Sequence, residues 1–471
     1  MLTDDTFFAS IAELSAQIRA RKLSPVELTE GYLDRLEKHG RRLGAVAHVM
    51  RDPALRDARQ AEKEIRGGRY RGALHGIPFG VKDLLATREA PTTWGATPYK
   101  DQKFDADATV VQRLKDAGAI LVAKLAMVEL AGGMGYNEAS AAWTGAGRTP
   151  WNPDYWSGGS SSGPGAATAA ALVQFSIGSE TSGSILTPSA FCGVTGLRPT
   201  YGMVSRHGAM ALSWTLDKLG PMCRSAADCG HVLAAIAGRD PLDPTSRDNN
   251  FRYPLAARRA GQPLRVAVLK DSYEKTQEAV RDNFLASLEV LKKIEPRAQI
   301  ERNVPLPDFP YGVVVGTIVD AEGASAFRDL IESGRVRELA SPSGRTGGYS
   351  ASLVTAVDYL HAMRMRAPMR RAWAEMFRKY DVLVAPSRAT VANPVDKPFD
   401  QGWPPAPASS PIGASNAVGV PAISIPNGFG LMGLPTGIQF VAPAWGETLL
   451  VDLAARYQQA TDWHKRRPTL A

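Results

Sequence analysis

The chain has only three cysteines in 471 residues: Cys192, Cys223 and Cys229. None stands in a CxxC or zinc-ligand spacing, which argues against a disulfide-stapled scaffold and makes a reducing, cytoplasmic compartment the expectation. No HExxH string or Cys/His cluster is present, so no metal is expected. No apolar run reaches the ~18 residues that a membrane-spanning helix requires. The opening MLTDDTFFASIAEL has acids where a secretory leader has bases, so no signal segment is read there. The phosphate-loop string GxxxxGK[ST] is missing as well, and the seven histidines fall in no triad motif.

What is present is an ordinary globular composition. Hydrophobic residues make up 44% of the chain, enough for a large core, and the formal net charge is +8. The bases are scattered, with small groups at Arg364–Arg371 and His464–Arg467. They read as solvated helix faces, without the aromatic interleaving of an RNA-binding surface. Neither a nucleic-acid nor a membrane partner is expected, and the chain is read as a monomer or homodimer.

Along the chain, Ser24-Pro25-Val26-Glu27 opens a helix. Ser24 suits the cap, Pro25 the first helical position, and Glu27 the third residue after the cap. Leu28, Tyr32, Leu33 and Leu36 follow at helical spacing and face the core. A helical segment to about residue 66 is expected to pack on the rest. Ile77–Lys82 and Ala119–Ala123 read as buried strands flanking a helix at Ala108–Ala117. Further strands are expected at Arg265–Leu269, Val382–Ala385, Pro421–Ile425 and Gly437–Ala442. This pattern argues for a sheet covered by helices. Arg239–Arg252 reads as a polar surface connection and Ala340–Ser350 as a mobile loop.

The informative stretch is Trp156–Gly202, with Gly/Ser-rich loops at Gly158–Gly165 and Gly178–Ser184. Such loops point backbone amides at a ligand, either a phosphate or the oxyanion of an acyl-transfer reaction. With no lysine after the glycines, the oxyanion reading is the better one. A second glycine string, GxGxxG at Gly428–Gly433, is followed by Leu-Pro-Thr-Gly and opens no helix, so it reads as chance. A GxSxG string centred on Ser161 lacks the apolar strand of a nucleophile elbow and also reads as chance. A serine nucleophile needs a base, and a buried lysine can serve. Lys82 ends the apolar strand IPFGVK. Pattern alone leaves it either as that base or as a lysine reaching the surface. Cys192 follows an Ala-Phe pair and reads as a buried small hydrophobe.

Taken together, GVKDLL at Lys82, Gly158-Gly159-Ser160-Ser161, Gly183-Ser184-Ile185 and FCGVTGLRPTYG (Phe191–Gly202) resemble the signature elements of the amidase signature family. The likeness covers nearly the whole chain, and Gly419–Pro426 with Gly433–Pro435 is similar to the family's C-terminal sheet region. The resemblance implies a single α/β domain over residues 1–471, a three-layer α/β/α arrangement on a large mixed sheet. It also implies a cofactor-free hydrolase of carbon–nitrogen bonds in small linear amides, with carbamates (urethanes) and esters as further substrates. Ser184 would be the nucleophile, Ser160 the bridging serine on a cis peptide bond, and Lys82 the base. The backbone N–H groups of Thr181, Ser182, Gly183 and Ser184 would form the oxyanion hole.

The same resemblance places Gly133, Met134, Tyr136 and Leu186 at the substrate, and the Ile318–Phe327 segment near it; taken one at a time, Met134 and Tyr136 read better as packing residues. Ser162, Pro164, Glu180, Ser182 and Leu186 depart from the commonest family pattern. Leu186 replaces a frequent arginine, which implies an apolar site and a neutral substrate. The alternative within the family is the catalytic component of a glutamine-dependent tRNA amidotransferase, which would need partner proteins and tRNA.

Overall fold

A computed structural model describes residues 2–255 and 263–470. The Pro25–His39 helix starts as its cap requires: the Ser24 hydroxyl accepts from the N–H groups of Val26 and Glu27. Glu27 does not close a capping box; Ser24 donates instead to Glu62 at 2.6 Å. A complete box forms upstream, between Ser10 and Glu13. Leu28, Tyr32, Leu33 and Leu36 are all buried. The N-terminal segment is helical at Asp4–Phe8, Ile11–Arg19, Pro25–His39 and Arg51–Arg66, but it also contributes an edge strand, Val46–Val49.

That strand (β1) is the first of eleven that the described residues form in one mixed sheet. The others are β2 (Pro78–Lys82), β3 (Ile120–Leu125), β4 (Phe175–Glu180), β5 (Thr195–Arg198) and β6 (Lys218–Cys223). They are followed by β7 (Arg265–Leu269), β8 (Gln299–Val304), β9 (Val382–Pro386), β10 (Ala422–Phe429) and β11 (Pro435–Val441). The order across the sheet is β1-β3-β2-β4-β6-β5-β10-β11-β9-β7-β8. β2 runs parallel to β3 and β4, and β7 to β8 and β9. The remaining neighbours are antiparallel. Gly428–Gly433 turns out to be the end of β10 and the turn that leads into β11.

Strand alternation separates the two faces chemically. Phe79, Val81, Phe175, Ile177, Leu197, Leu219, Ile423 and Phe440 belong to one apolar cluster. They pack with the helices Ala226–Ile236, Glu278–Ile294 and Glu447–Ala460. Of opposite parity on the central strands, Gly80, Lys82, Gly178, Glu180, Gly196, Arg198, Lys218 and Gly220 are small or polar, with Met222 the apolar exception on β6. Small residues there let helices Ser162–Ala169 and Leu186–Cys192 approach closely. A Cβ on Gly196 would stand 2.0 Å from Ser189 Oγ.

Three regions differ from the sequence reading. Ala340–Ser350, read as a mobile loop, holds the helix Gly344–Ala351. Its glycines serve close packing, since a Cβ on Gly347 would sit 1.9 Å from the Met134 carbonyl oxygen. Within Arg239–Arg252, Asp240, Asp243 and Ser246 are buried; the Asp240 N–H donates to Ser246 Oγ at 2.8 Å, and that hydroxyl donates to the Asp243 carbonyl at 2.7 Å. Arg364, Arg370 and Arg371 are exposed as expected, but Arg366 is buried and donates to the carbonyls of Ala417 and Thr215 at 2.8 and 2.9 Å. Among the described residues no helix is long and apolar enough to cross a membrane.

Candidate active site

β2 delivers Lys82 to the interior with no exposed surface. Its Nζ lies 2.7 Å from Ser160 Oγ and 2.9 Å from Ser179 Oγ. The strand supplies the lysine, β4 supplies Ser179, and the loop leading into helix Ser162–Ala169 supplies Ser160. The Gly159–Ser160 peptide is cis. Burial lowers the pKa of Lys82 to about 7, although the charges of Asp217 and Glu180 pull it upward. Near neutral pH a large share of Lys82 is therefore uncharged and has a lone pair to accept a proton.

Ser184 sits between β4 and helix Leu186–Cys192 and is partly exposed. Its carbonyl accepts the Ser161 N–H at 3.2 Å, which joins the two Gly/Ser-rich loops. Ser161 is also held from β4: its hydroxyl donates to the Ser179 carbonyl at 3.2 Å. Gly183 turns the chain at φ +94, and its carbonyl accepts from Thr187 N–H at 2.8 Å to start the helix. The N–H groups of Thr181, Ser182, Gly183 and Ser184 donate to no acceptor among the described residues. Four unclaimed donors around a partly exposed serine suit a developing oxyanion.

Glu180 organises this turn. Its Oε2 accepts from the N–H groups of Ile185 and Leu186 at 2.8 and 3.0 Å. Its Oε1 takes Arg198 at 2.9 Å and Asn416 at 2.8 Å. Burial raises the pKa of Glu180, but Arg198, Asn416 and the Leu186 amide outweigh it and hold the carboxyl at about 2. Arg198 is fully buried and also donates to Ser415 Oγ and the Val420 carbonyl. Thr181 is held from the other side, with its hydroxyl 2.6 Å from Asp217 Oδ1. Asp217 in turn accepts from Leu212 and Ser213 N–H.

A cavity of about 350 Å³ opens beside Ser179 and Thr181. Its walls are mixed: Leu84, Ala131, Met210, Leu212, Trp214 and Leu219 form an apolar part, and Arg206, His207, Asp217 and Asp243 a polar one. Of the four side positions expected at the substrate, Gly133 and Met134 are buried and Tyr136 is partly exposed in a ring cluster with Trp156 and Phe399. Leu186 is fully buried and packs with Leu216, Ile318 and Ile412. Cys192 is buried, its thiol pushed up by burial. Sequence reasoning did not single out Ser179, Asp217 or Arg198. Ser179 and Arg198 lie inside the motif segment. Asp217 has no local signal, because only the fold brings it to Thr181.

The Amidase family model matches residues 27–451. The chain is 33% identical to a glutamyl-tRNA(Gln) amidotransferase component of Gloeothece citriformis, covering 98% of this chain and 99% of that one. It is 37% identical to the provisionally named amidase AmiD of Mycobacterium bovis, covering 97% and 95%. The native peptide amidase of Stenotrophomonas maltophilia superposes with a TM-score of 0.82 at 29% identity, over 98% of each chain.

Proposed function

Because the chain belongs to the amidase family, we propose that it hydrolyses carbon–nitrogen bonds of small linear amides through an acyl-enzyme on Ser184. Neutral Lys82 takes the proton of Ser160 while Ser160 takes that of Ser184, and Ser184 Oγ bonds to the substrate carbonyl carbon. The carbonyl oxygen becomes an oxyanion facing the N–H groups of residues 181–184, where each well-placed donor is worth ~3 kcal/mol. The C–N bond then breaks and the proton returns through Ser160 to the leaving amine. Water repeats the sequence, releases the acid and regenerates Ser184. Aryl amides suit the apolar part of the cavity. Carbamates enter by the same chemistry, since their carbonyl needs no additional residue.

The observation that carries this reading is the fully buried Lys82 Nζ at 2.7 Å from Ser160 Oγ. The test is to treat the protein with a fluorophosphonate and map the adduct by mass spectrometry. Ser184 should be labelled and Ser184→Ala should be inactive; labelling elsewhere, or an active alanine variant, sinks the assignment.

The 33% identity to an amidotransferase component supports a second reading, in which the same serine releases ammonia from glutamine within a larger complex. Turnover of an anilide by the purified chain, without glutamine or partner proteins, separates the two. Activity confined to glutamine with added partners would favour the second.

A further inference from the structure

Arg388 follows the end of β9 and is solvent-accessible. It has no ion pair or hydrogen bond among the described residues, whereas accessible arginines such as Arg51, Arg56 and Arg335 are paired with carboxylates. Its guanidinium stands 5.9 Å over the Phe191 ring. Phe191 lies one helical turn beyond Thr187. Thr187 Oγ1 is 3.3 Å from where a Cβ on Gly183 would stand. The cation therefore stands over the ring of a residue one helical turn from Thr187, which touches the loop that carries the unclaimed amides.

Tyr136 completes the arrangement. Its hydroxyl also lacks a hydrogen-bond partner among the described residues, and its ring packs edge-on against Trp156. The Trp156 ring reaches the Ser160 loop: a Cβ on Gly159 would lie 2.7 Å from its Cζ2. The indole N–H of Trp156 is buried without a hydrogen-bond partner among the described residues. Burial pushes the Tyr136 phenol up to about 12, tempered by the nearby Arg388 charge. A cation and a phenol without hydrogen-bond partners among the described residues, set among aromatic rings beside the loop of Ser160, match what a carboxylate needs. Arginine offers it two parallel N–H bonds and tyrosine a third donor.

We propose that Arg388 and Tyr136 form a specificity subsite that holds a carboxylate carried by the substrate a few bonds from the scissile carbonyl. The inference rests on the acyl-enzyme reading above. It revises the neutral-substrate expectation drawn from Leu186, because position 388 provides the cation that position 186 lacks.

The test compares two substrates that differ only in carboxylate against methyl: the mono-4-nitroanilide of succinic acid and the 4-nitroanilide of butyric acid. The parent enzyme should prefer the succinyl compound in kcat/KM. Arg388→Met should reduce that preference roughly 10- to 100-fold, mainly through KM, as expected for losing a charged hydrogen bond. Arg388→Lys should restore part of it, and Tyr136→Phe should fall between parent and Arg388→Met. Fluorophosphonate labelling of Ser184 in each variant reports an intact site; should Arg388→Met fail to label, Arg388→Gln is read in its place. No preference in the parent, or an unchanged ratio in labelled variants, overturns the subsite. Failure of the parent to label on Ser184 overturns the acyl-enzyme reading instead.

Discussion

Lys82 Nζ and Ser160 Oγ are 2.7 Å apart, and neither residue has surface exposed to solvent. A charged ammonium is disfavoured there, and the nearby Asp217 and Glu180 charges offset only part of the desolvation.

The first consequence is kinetic. With a pKa of about 7, Lys82 gains its lone pair as pH rises through neutrality, so kcat/KM should climb through that region and level off above it. Lys82→Arg, which stays protonated, should lose at least ~10³-fold of activity. An unchanged profile in that variant would remove Lys82 from the relay.

The second is thermodynamic. Lys82 titrates near 10.5 when unfolded and near 7 when folded, so between those values the unfolded chain binds more protons and stability rises with pH. The penalty is absent above about 10.5 and complete below about 7. Lys82→Met never acquires the charge. Its Tm relative to the parent should increase as pH is lowered from 10 to 7, then stay level. Parallel Tm profiles across that window would contradict the burial argument.

Ser179 accepts a second hydrogen bond from Lys82, at 2.9 Å. That bond favours the charged amine, so Ser179→Ala should shift the acidic limb of the pH–rate profile downward while turnover falls only several-fold. Ser160→Ala, which breaks the relay itself, should leave almost no activity. A Ser179→Ala enzyme as inactive as Ser160→Ala would make Ser179 part of the proton path.

Glu180 and Arg198 are a buried ion pair at 2.9 Å that also anchors the turn after Ser184. Removing one partner strands the other, at a cost of about 3–5 kcal/mol. Glu180→Gln should therefore lower Tm and kcat together, and pairing it with Arg198→Met should recover part of the stability. Because the Glu180 carboxyl is held at about 2, its contribution is full above about 4.5 and lost as pH falls toward 2. Acid titration of Tm in the parent and the double variant checks that window.

Turnover should survive prolonged chelation, since no three His, Cys, Asp or Glu side chains converge among the described residues. Loss of activity restored by added zinc would overturn this.

The core strands were legible because their apolar character is local. Arg265–Leu269 is found as read, and the strands at Lys82 and Val382 differ by a residue at their ends. The short strand Val46–Val49 was not, because four half-buried residues carry no clear alternation and are held by pairing with β3. Gly347 and Gly348 read as flexible and are instead sites of contact with Met134. Glycine in a sequence does not distinguish freedom from close approach.

Residue identity and order along the chain determined which groups could react: a lysine ending an apolar strand and two serines in glycine-rich loops. Tertiary structure alone decided what those groups are chemically. The pKa of Lys82 falls because segments far away in sequence close over it, and a desolvation cost exists only once they have done so. Glu180 stays ionised because Arg198 and Asn416 arrive from β5 and the helix Pro411–Val418. Charge state and free donors depend on which distant groups become neighbours, and local pattern does not encode that.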